Sequence, residues 1–193
     1  MIDSIKSLGW CDKFVEYFIL KKEGLRKAAQ KSMNDFINIY KKQDTSSRRQ
    51  FIDIVNKLVF NSADYELLPY NLYHSTLLPD LEHWIKEEPT NPIPYKWSSN
   101  INLIRRALDL SPNDQEALII YGNRLIGHVS MNQHELNHGL PYLGDASDDY
   151  IKLDNYQRLL PNIGDEEKRN VFMNQLVGLK QVAFDCMSKA SLD

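Results

Sequence analysis

The chain has 193 residues, of which 42% are hydrophobic and 25% charged, and its formal net charge is −3. This composition is typical of a soluble globular protein, and no apolar run resembles a transmembrane span, so no membrane partner is expected. The length predicts a single helical domain over residues 1–193, with sub-halves 1–62 and 63–193 as the alternative.

Two cysteines, Cys11 and Cys186, lie near opposite ends of the sequence. They form neither a disulfide framework nor a metal-binding pair, so both are expected to be reduced, mostly buried thiols. Residues 1–10 alternate polar and apolar side chains and lack the apolar core of a signal peptide. These features favour a cytoplasmic location.

Charge is distributed unevenly along the chain. Residues 1–60 hold 12 Lys/Arg and 7 Asp/Glu, whereas residues 61–193 hold 11 and 19. An excess of positive charge in the N-terminal third is a feature of proteins that bind nucleic acid. The basic residues are spread over predicted helix ends, where they complement the C-terminal dipole, so nucleic acid is the least favoured partner.

The N-terminal region carries three helical patterns. Apolar residues recur every three or four positions over 5–19, again over 25–40, and again over 51–59. Ser47 and Gln50 have capping-box spacing, which predicts that Ser47 caps the third helix. No alternating strand pattern occurs anywhere. The fold class is therefore all-α, as a helical bundle or a short α-α superhelix.

Residues 65–97 form a segment rich in proline and aromatic residues. Proline removes a backbone donor and ends helices, so short helices and irregular links are predicted, with one short helix from Pro79 to Glu88. The aromatic rings either cover the core where regular helices are missing or form a recognition surface. The second interpretation makes Trp84, Tyr95 and Trp97 candidate contact residues.

The C-terminal part contains four further predicted helices. The first spans 100–110, and the second is capped by Asn113 and runs as far as His138. The third is capped by Ser147, and the last begins near Asp165 with apolar residues at alternating four- and three-residue intervals.

Ala107, Pro112 and Gly122 occupy positions that resemble the junction between two tetratricopeptide (TPR) repeats, and Trp84 falls at that pattern's early tryptophan. The resemblance covers about residues 84–126. It implies a TPR-like helix pair that binds a protein or peptide in a groove between helices. Residues 113–160 are also similar to uncharacterised bacterial helical proteins, a resemblance that implies no activity.

Residues His134-Glu135-Leu136-Asn137-His138 spell H-E-x-x-H. On an α-helix the two histidines lie on one face and can both bind zinc. Glu135 could then act as general base toward a zinc-bound water. This motif is the basis of the alternative function, a zinc-dependent hydrolase.

The surroundings of the motif argue mostly against this chemistry. Gly139 and Pro141 end the helix directly after His138, so the second ligand lies in a last turn. On a continuous helix both histidines face away from the apolar stripe that begins at Leu118. The acidic residues that could supply a third ligand are Asp145, Asp148, Asp149, Glu166 and Glu167.

The sequence therefore favours a non-enzymatic protein without a cofactor that binds an unidentified protein or peptide. The candidate contact residues are Trp84, Tyr95 and Trp97, with Tyr121 and Arg124 on the repeat-like helix. A zinc hydrolase with ligands His134 and His138 is the alternative, and nucleic-acid binding by the basic N-terminal third is the second alternative. Neither the partner nor the oligomeric state can be predicted.

Overall fold

A computed structural model describes residues 2–62 and 68–190, and for residues 2, 3, 137, 189 and 190 it describes the backbone alone. Within these ranges the chain forms helices and no β-strand, which confirms the all-α prediction. The chain divides into two compact units, Met1–Ser98 (unit 1) and Ser99–Asp193 (unit 2). None of the described helices is long and apolar enough to cross a membrane.

In unit 1, the apolar pattern over 5–19 is divided between two helices, and the patterns over 25–40 and 51–59 form one helix each. The bounds of these helices, with those of the shorter helices that follow, are α1 (Ile2–Lys6), α2 (Asp12–Lys22), α3 (Arg26–Tyr40), α4 (Thr45–Ser62), α5 (Tyr70–Leu72), α6 (Leu78–Glu87) and α7 (Pro92–Lys96). A π-helical turn, Tyr73–Leu77, joins α5 to α6. Helix α6 confirms the predicted short helix at 79–88. Residue 65, where the predicted aromatic segment starts, lies outside the described residues.

The core of unit 1 is a cluster of aromatic rings. Phe14 of α2, Phe36 of α3 and Phe51 of α4 are fully buried, with ring centroids 4.9–5.2 Å apart. Trp10 stacks on Phe36 at 5.8 Å. Tilted and edge-on ring pairs add to the free energy of burial, so this cluster holds the first three long helices together.

Asp44, rather than Ser47, caps α4. Its carboxylate accepts the backbone N–H of Ser47 at 2.9 Å and the Ser47 hydroxyl at 2.7 Å. The Ser47 hydrogen bonds hold the pKa of the Asp44 carboxyl below its ordinary value. The predicted cap was three residues too late because the helix begins at Thr45, so the aspartate directly before it accepts the N–H of Ser47.

Unit 2 contains the four predicted C-terminal helices. They are α8 (Ile101–Leu110), α9 (Gln115–Gln133), α10 (Ala146–Leu159) and α11 (Glu166–Ala190), with 3₁₀ turns at His134–His138 and Leu160–Asn162. Helix α9 packs against α8, α10 and α11, and α10 packs along α11. Leu118, Leu125, Leu153 and Tyr156 are fully buried between these helices.

Two caps in unit 2 differ from the prediction by one or two residues. Asp114, rather than Asn113, caps α9 by accepting the N–H of Ala117 at 3.0 Å. Asp145, rather than Ser147, caps α10 by accepting the N–H groups of residues 147 and 148. In both cases the aspartate that directly precedes the helix accepts its first free N–H groups.

The unit boundary follows Ser98 and lies 36 residues beyond the change in charge that suggested sub-halves 1–62 and 63–193. Residues 1–98 hold 14 Lys/Arg and 13 Asp/Glu, and residues 99–193 hold 9 and 13. Unit 1 is thus nearly neutral because the acidic residues of α6 belong to the same compact unit as the basic N-terminal helices.

Candidate functional site

The three predicted aromatic contact residues of unit 1 are buried. Trp84, Tyr95 and Trp97 are each less than one-tenth exposed. The Tyr95 hydroxyl donates to the Pro89 carbonyl oxygen at 3.1 Å. The expectation that these rings form an exposed recognition surface is therefore corrected. Where proline prevents long helices, the large rings supply the core instead.

Both tryptophans are also fixed by polar contacts within unit 1. The Trp84 indole N–H donates to Glu88 at 3.0 Å, and the Arg49 guanidinium lies 5.1 Å from the Trp84 ring centroid. The Trp97 indole N–H donates to Asp53 at 2.8 Å. An indole whose single donor is satisfied inside the protein has no donor left for a partner.

The two candidates on α9 differ from one another. Tyr121 is 4% exposed, and its ring lies 5.5 Å from that of Tyr156 in the core of unit 2. Burial raises the pKa of the Tyr121 hydroxyl. Arg124 is exposed. Of the five predicted contact residues, Arg124 alone is therefore accessible on the surface.

The H-E-x-x-H motif forms a 3₁₀ turn after α9 has ended at Gln133. In a 3₁₀ turn, positions four apart point about 120° away from each other, compared with about 40° on an α-helix. Gly139 then ends the turn in the left-handed conformation, φ 76°. The α-helical geometry on which the zinc interpretation depends is absent from residues 134–138, and the side chain of Asn137 lies outside the described residues.

Both histidines of the motif are exposed, and Glu135 is half-buried. The rings of His134 and His138 have centroids 6.3 Å apart, and His134 Nδ1 lies 2.9 Å from Glu135 Oε1. The Glu135 carboxylate, which would act as the base, thus contacts His134, which would be one of the zinc ligands. No group of three metal-ligating side chains occurs in the part of the chain that the structure describes.

Three of the five acidic residues considered as third ligands have other contacts in unit 2. Asp145 caps α10, and Asp148 pairs with Lys152 at 2.5 Å. Asp149 is buried and accepts hydrogen bonds from Tyr142 and Asn132, each at 2.7 Å. Asp149 therefore connects the end of α9 to α10, whereas Asp145 and Asp148 stabilise the first turns of α10.

Several basic residues of the N-terminal third pair with carboxylates of unit 1. Arg48 binds Asp80 at 3.0 Å, and Arg49 pairs with both Glu87 and Glu88. A guanidinium that already binds a carboxylate is less able to neutralise a phosphate. These ion pairs account for part of the charge that suggested a nucleic-acid interface.

An open groove runs between α10 and α11 on the surface of unit 2. It consists of two adjoining depressions of about 420 and 350 Å³ that share Gln157 and Lys180. The remaining lining residues are Tyr150, Asp154, Arg158, Leu160, Pro161, Arg169, Met173, Val177, Gln181 and Phe184. Both depressions lie entirely within unit 2.

Lys180 lies at the middle of the groove. Its ammonium donates to Asp154 at 2.7 Å and to Gln157 at 2.8 Å, and it lies 5.1 Å from the Tyr150 ring centroid. The hydrogen bond from Lys180 holds the pKa of the Asp154 carboxyl below its ordinary value. Three partners on α10 thus fix the position of this side chain of α11.

The two ends of the groove differ in chemistry. At one end, Val177 and Phe184 are 60% and 51% exposed, and the Phe184 ring lies 6.2 Å from that of Tyr150. At the other end lie two arginines, Arg158 and Arg169. The groove can therefore accommodate apolar side chains at one end and anionic groups at the other.

The sequence contains a signal for this groove that was missed. The apolar stripe of α11 includes Phe172, Leu176 and Ala183, which are buried. A second stripe follows it by one position, at Met173, Val177 and Phe184. The apolar arc of α11 is thus wider than its packing face requires, and the excess lies on the surface.

Comparison of this chain with protein-family models, with curated proteins and with solved structures finds no match. Helices α8 and α9 provide a helix pair at the place of the TPR resemblance, with Ala107 and Gly122 buried. Trp84 of the same pattern belongs to unit 1, whereas the pair belongs to unit 2. The TPR assignment stays a prediction.

Proposed function

We propose that this protein is a non-enzymatic binding module that takes up a peptide segment of another protein in the groove between α10 and α11. The observation that carries the proposal is the exposure of Val177 and Phe184 beside the fixed ammonium of Lys180. Exposed apolar side chains grouped in a concave, partly polar surface are characteristic of sites that bind proteins or ligands.

The rigidity of the groove walls supports this function. Gln115 at the start of α9 donates to the carbonyl of Asn162 at 2.8 Å and accepts the N–H of Gly164 at 2.8 Å. These bonds fix the loop between α10 and α11. A preformed site loses little conformational entropy when its ligand binds, so a modest interface is sufficient for measurable affinity.

Protein or peptide binding is also the function that the sequence favours, but the proposed binding surface differs from the one predicted there. Four of the five contact residues predicted from the sequence are buried, and Arg124 is exposed on α9. Substitution of Arg124 by alanine is therefore expected to leave groove binding unchanged. The proposed contacts are Tyr150, Val177 and Phe184.

A display selection tests the proposal with defined ligands. A library of random peptides about 15 residues long is selected on the immobilised full chain, and the enriched peptides are then synthesised and titrated by fluorescence anisotropy. The two variants to compare are Val177→Ser and Val171→Ser. Both valines are on α11 and exposed, at 60% and 51%, but only Val177 lines the groove.

We expect the enriched peptides to bind the wild type and Val171→Ser equally and to bind Val177→Ser about tenfold more weakly, since a well-packed apolar contact contributes about 1–2 kcal/mol. Circular dichroism and thermal unfolding verify that both variants are folded. Selection without enrichment, or equal affinity for the two variants, would rule out the groove as the binding surface.

A further inference from the structure

Building on the proposed function, we infer that the segment bound by the groove is amphipathic and acidic, with apolar side chains against Val177 and Phe184 and carboxylates toward Arg158 and Arg169. The net charge of the groove and the distance between its two ends favour this class of ligand. A second copy of the chain and a ligand without carboxylates are outcomes that the experiment below distinguishes.

The charge of the groove is opposite to that of its unit. The lining contains the cations Arg158, Arg169 and Lys180 and one carboxylate, Asp154. The groove thus has a net charge of +2 in a unit where Asp and Glu outnumber Lys and Arg by 13 to 9. An acidic segment is attracted to this surface and repelled by the rest of the unit, which directs it to one site.

The two arginines differ in how much of their charge is compensated. Arg158 pairs with Asp154 at 2.6 Å but is 76% exposed, so solvent screens much of that pair. Arg169 donates to the Ile163 carbonyl at 3.2 Å, and no carboxylate among the described residues lies within ion-pair distance of it. A carboxylate of the ligand would therefore bind Arg169 without displacing an existing ion pair.

The groove also sets the length of the segment. Arg169 and Phe184 are 15 positions apart on α11, which corresponds to about 22 Å along the helix axis. A helical ligand of about 15 residues, or an extended one of about seven, spans this distance. We therefore expect the apolar and acidic groups of the ligand to be in opposite halves.

The experiment uses three synthetic helical peptides of about 15 residues. The first has Leu and Phe at three- and four-residue spacing in one half and Glu in the other. The second has Lys in place of each Glu, and the third has Ala in place of each Leu and Phe. Each is titrated by fluorescence anisotropy against the full chain and its variants, at low and high salt.

Arg158→Glu and Arg169→Glu are compared with Lys168→Glu, which changes the net charge equally. Lys168 is an exposed residue of α11 outside the groove, and it pairs with Asp165. We expect the first peptide to lose about three- to tenfold in affinity with either arginine variant and little with Lys168→Glu. Arg158→Glu remains informative if Arg169→Glu is unstable, because Arg158 is largely solvent-exposed.

The outcomes separate this inference from the proposed function. Binding of the first peptide alone, weakened by salt and by both arginine variants, supports the inference. Equal binding of the lysine peptide, with sensitivity to Val177→Ser, overturns the acidic ligand and leaves peptide binding in place. Binding of no peptide, together with a dimer that Val177→Ser dissociates, would identify a second copy as the occupant and overturn both.

Discussion

Gly122 of α9 lies directly against the phenol ring of Tyr156 in α10. A Cβ atom at position 122 would overlap the Tyr156 hydroxyl. That hydroxyl donates to the Leu118 carbonyl oxygen at 3.1 Å, one turn earlier on α9, and the tyrosine is fully buried. The glycine therefore sets how closely α9 and α10 approach, and through α10 it positions one wall of the groove.

Gly122→Ala is expected to lower the free energy of unfolding by about 1–3 kcal/mol, because the buried ring must move to accept the methyl group. Gly127→Ala is the matched control on the same helix, where a Cβ would meet nothing within 4 Å. It should raise stability by up to about 1 kcal/mol, since alanine favours the helix. Urea unfolding of both variants measures the difference, and equal effects would contradict the close contact.

The helices could be predicted because their signal is local. The apolar spacing over 25–40 and 51–59 corresponds to α3 and α4, and the stop at Ser111 and Pro112 corresponds to the end of α8. The capping residues differ from the predicted ones by one to three positions, because Asp, Asn and Ser all favour the N-cap position and each segment contains more than one of them.

The candidate site could not be predicted to the same extent. Exposure of a ring such as Trp84 depends on which helices cover it, and a proline-rich segment has no periodicity that indicates its buried side. The groove requires α10 and α11 to be adjacent, a tertiary relationship. Lys180 has no motif around it in the sequence, and only its contacts with Asp154 and Gln157 mark it.

Trp97→Ala is expected to destabilise unit 1. The ring is 6% exposed and its N–H donates to Asp53, so the substitution removes a buried ring and a hydrogen bond, about 3–5 kcal/mol. Trp97→Phe retains an aromatic ring and should lose less. Urea unfolding measures whether stability decreases from the wild type to Trp97→Phe to Trp97→Ala. An alanine variant as stable as the wild type would show that Trp97 is not a core residue.

Protein purified without added zinc is expected to contain far less than one zinc per chain. The exposed His134 ring contacts Glu135, and residues 134–138 form a 3₁₀ turn in place of the α-helix that the motif requires. Metal analysis of untagged protein measures the content, with His134→Ala as the control. One zinc per chain that is lost in the variant would support the hydrolase.

Acid is expected to weaken the contact between α4 and α6 through Glu88. Hydrogen bonds from Asn91 and Trp84, together with the charge of Arg49, hold the pKa of the Glu88 carboxyl below its ordinary value of 4.5. A carboxyl with a lowered pKa stabilises the folded state fully above its unfolded pKa, and this contribution is lost as the pH falls through the folded value.

The Glu88→Gln variant tests this pH dependence. Glutamine cannot ionise, so we expect the unfolding free energy of the variant to fall less than that of the wild type between pH 6 and pH 3, about the window in which the carboxyl titrates. Glu82→Gln, at an exposed position on α6, is the control and should follow the wild type. If Glu88→Gln and the wild type lose stability in parallel, the charge of the Glu88 carboxylate does not contribute to the pH dependence of folding.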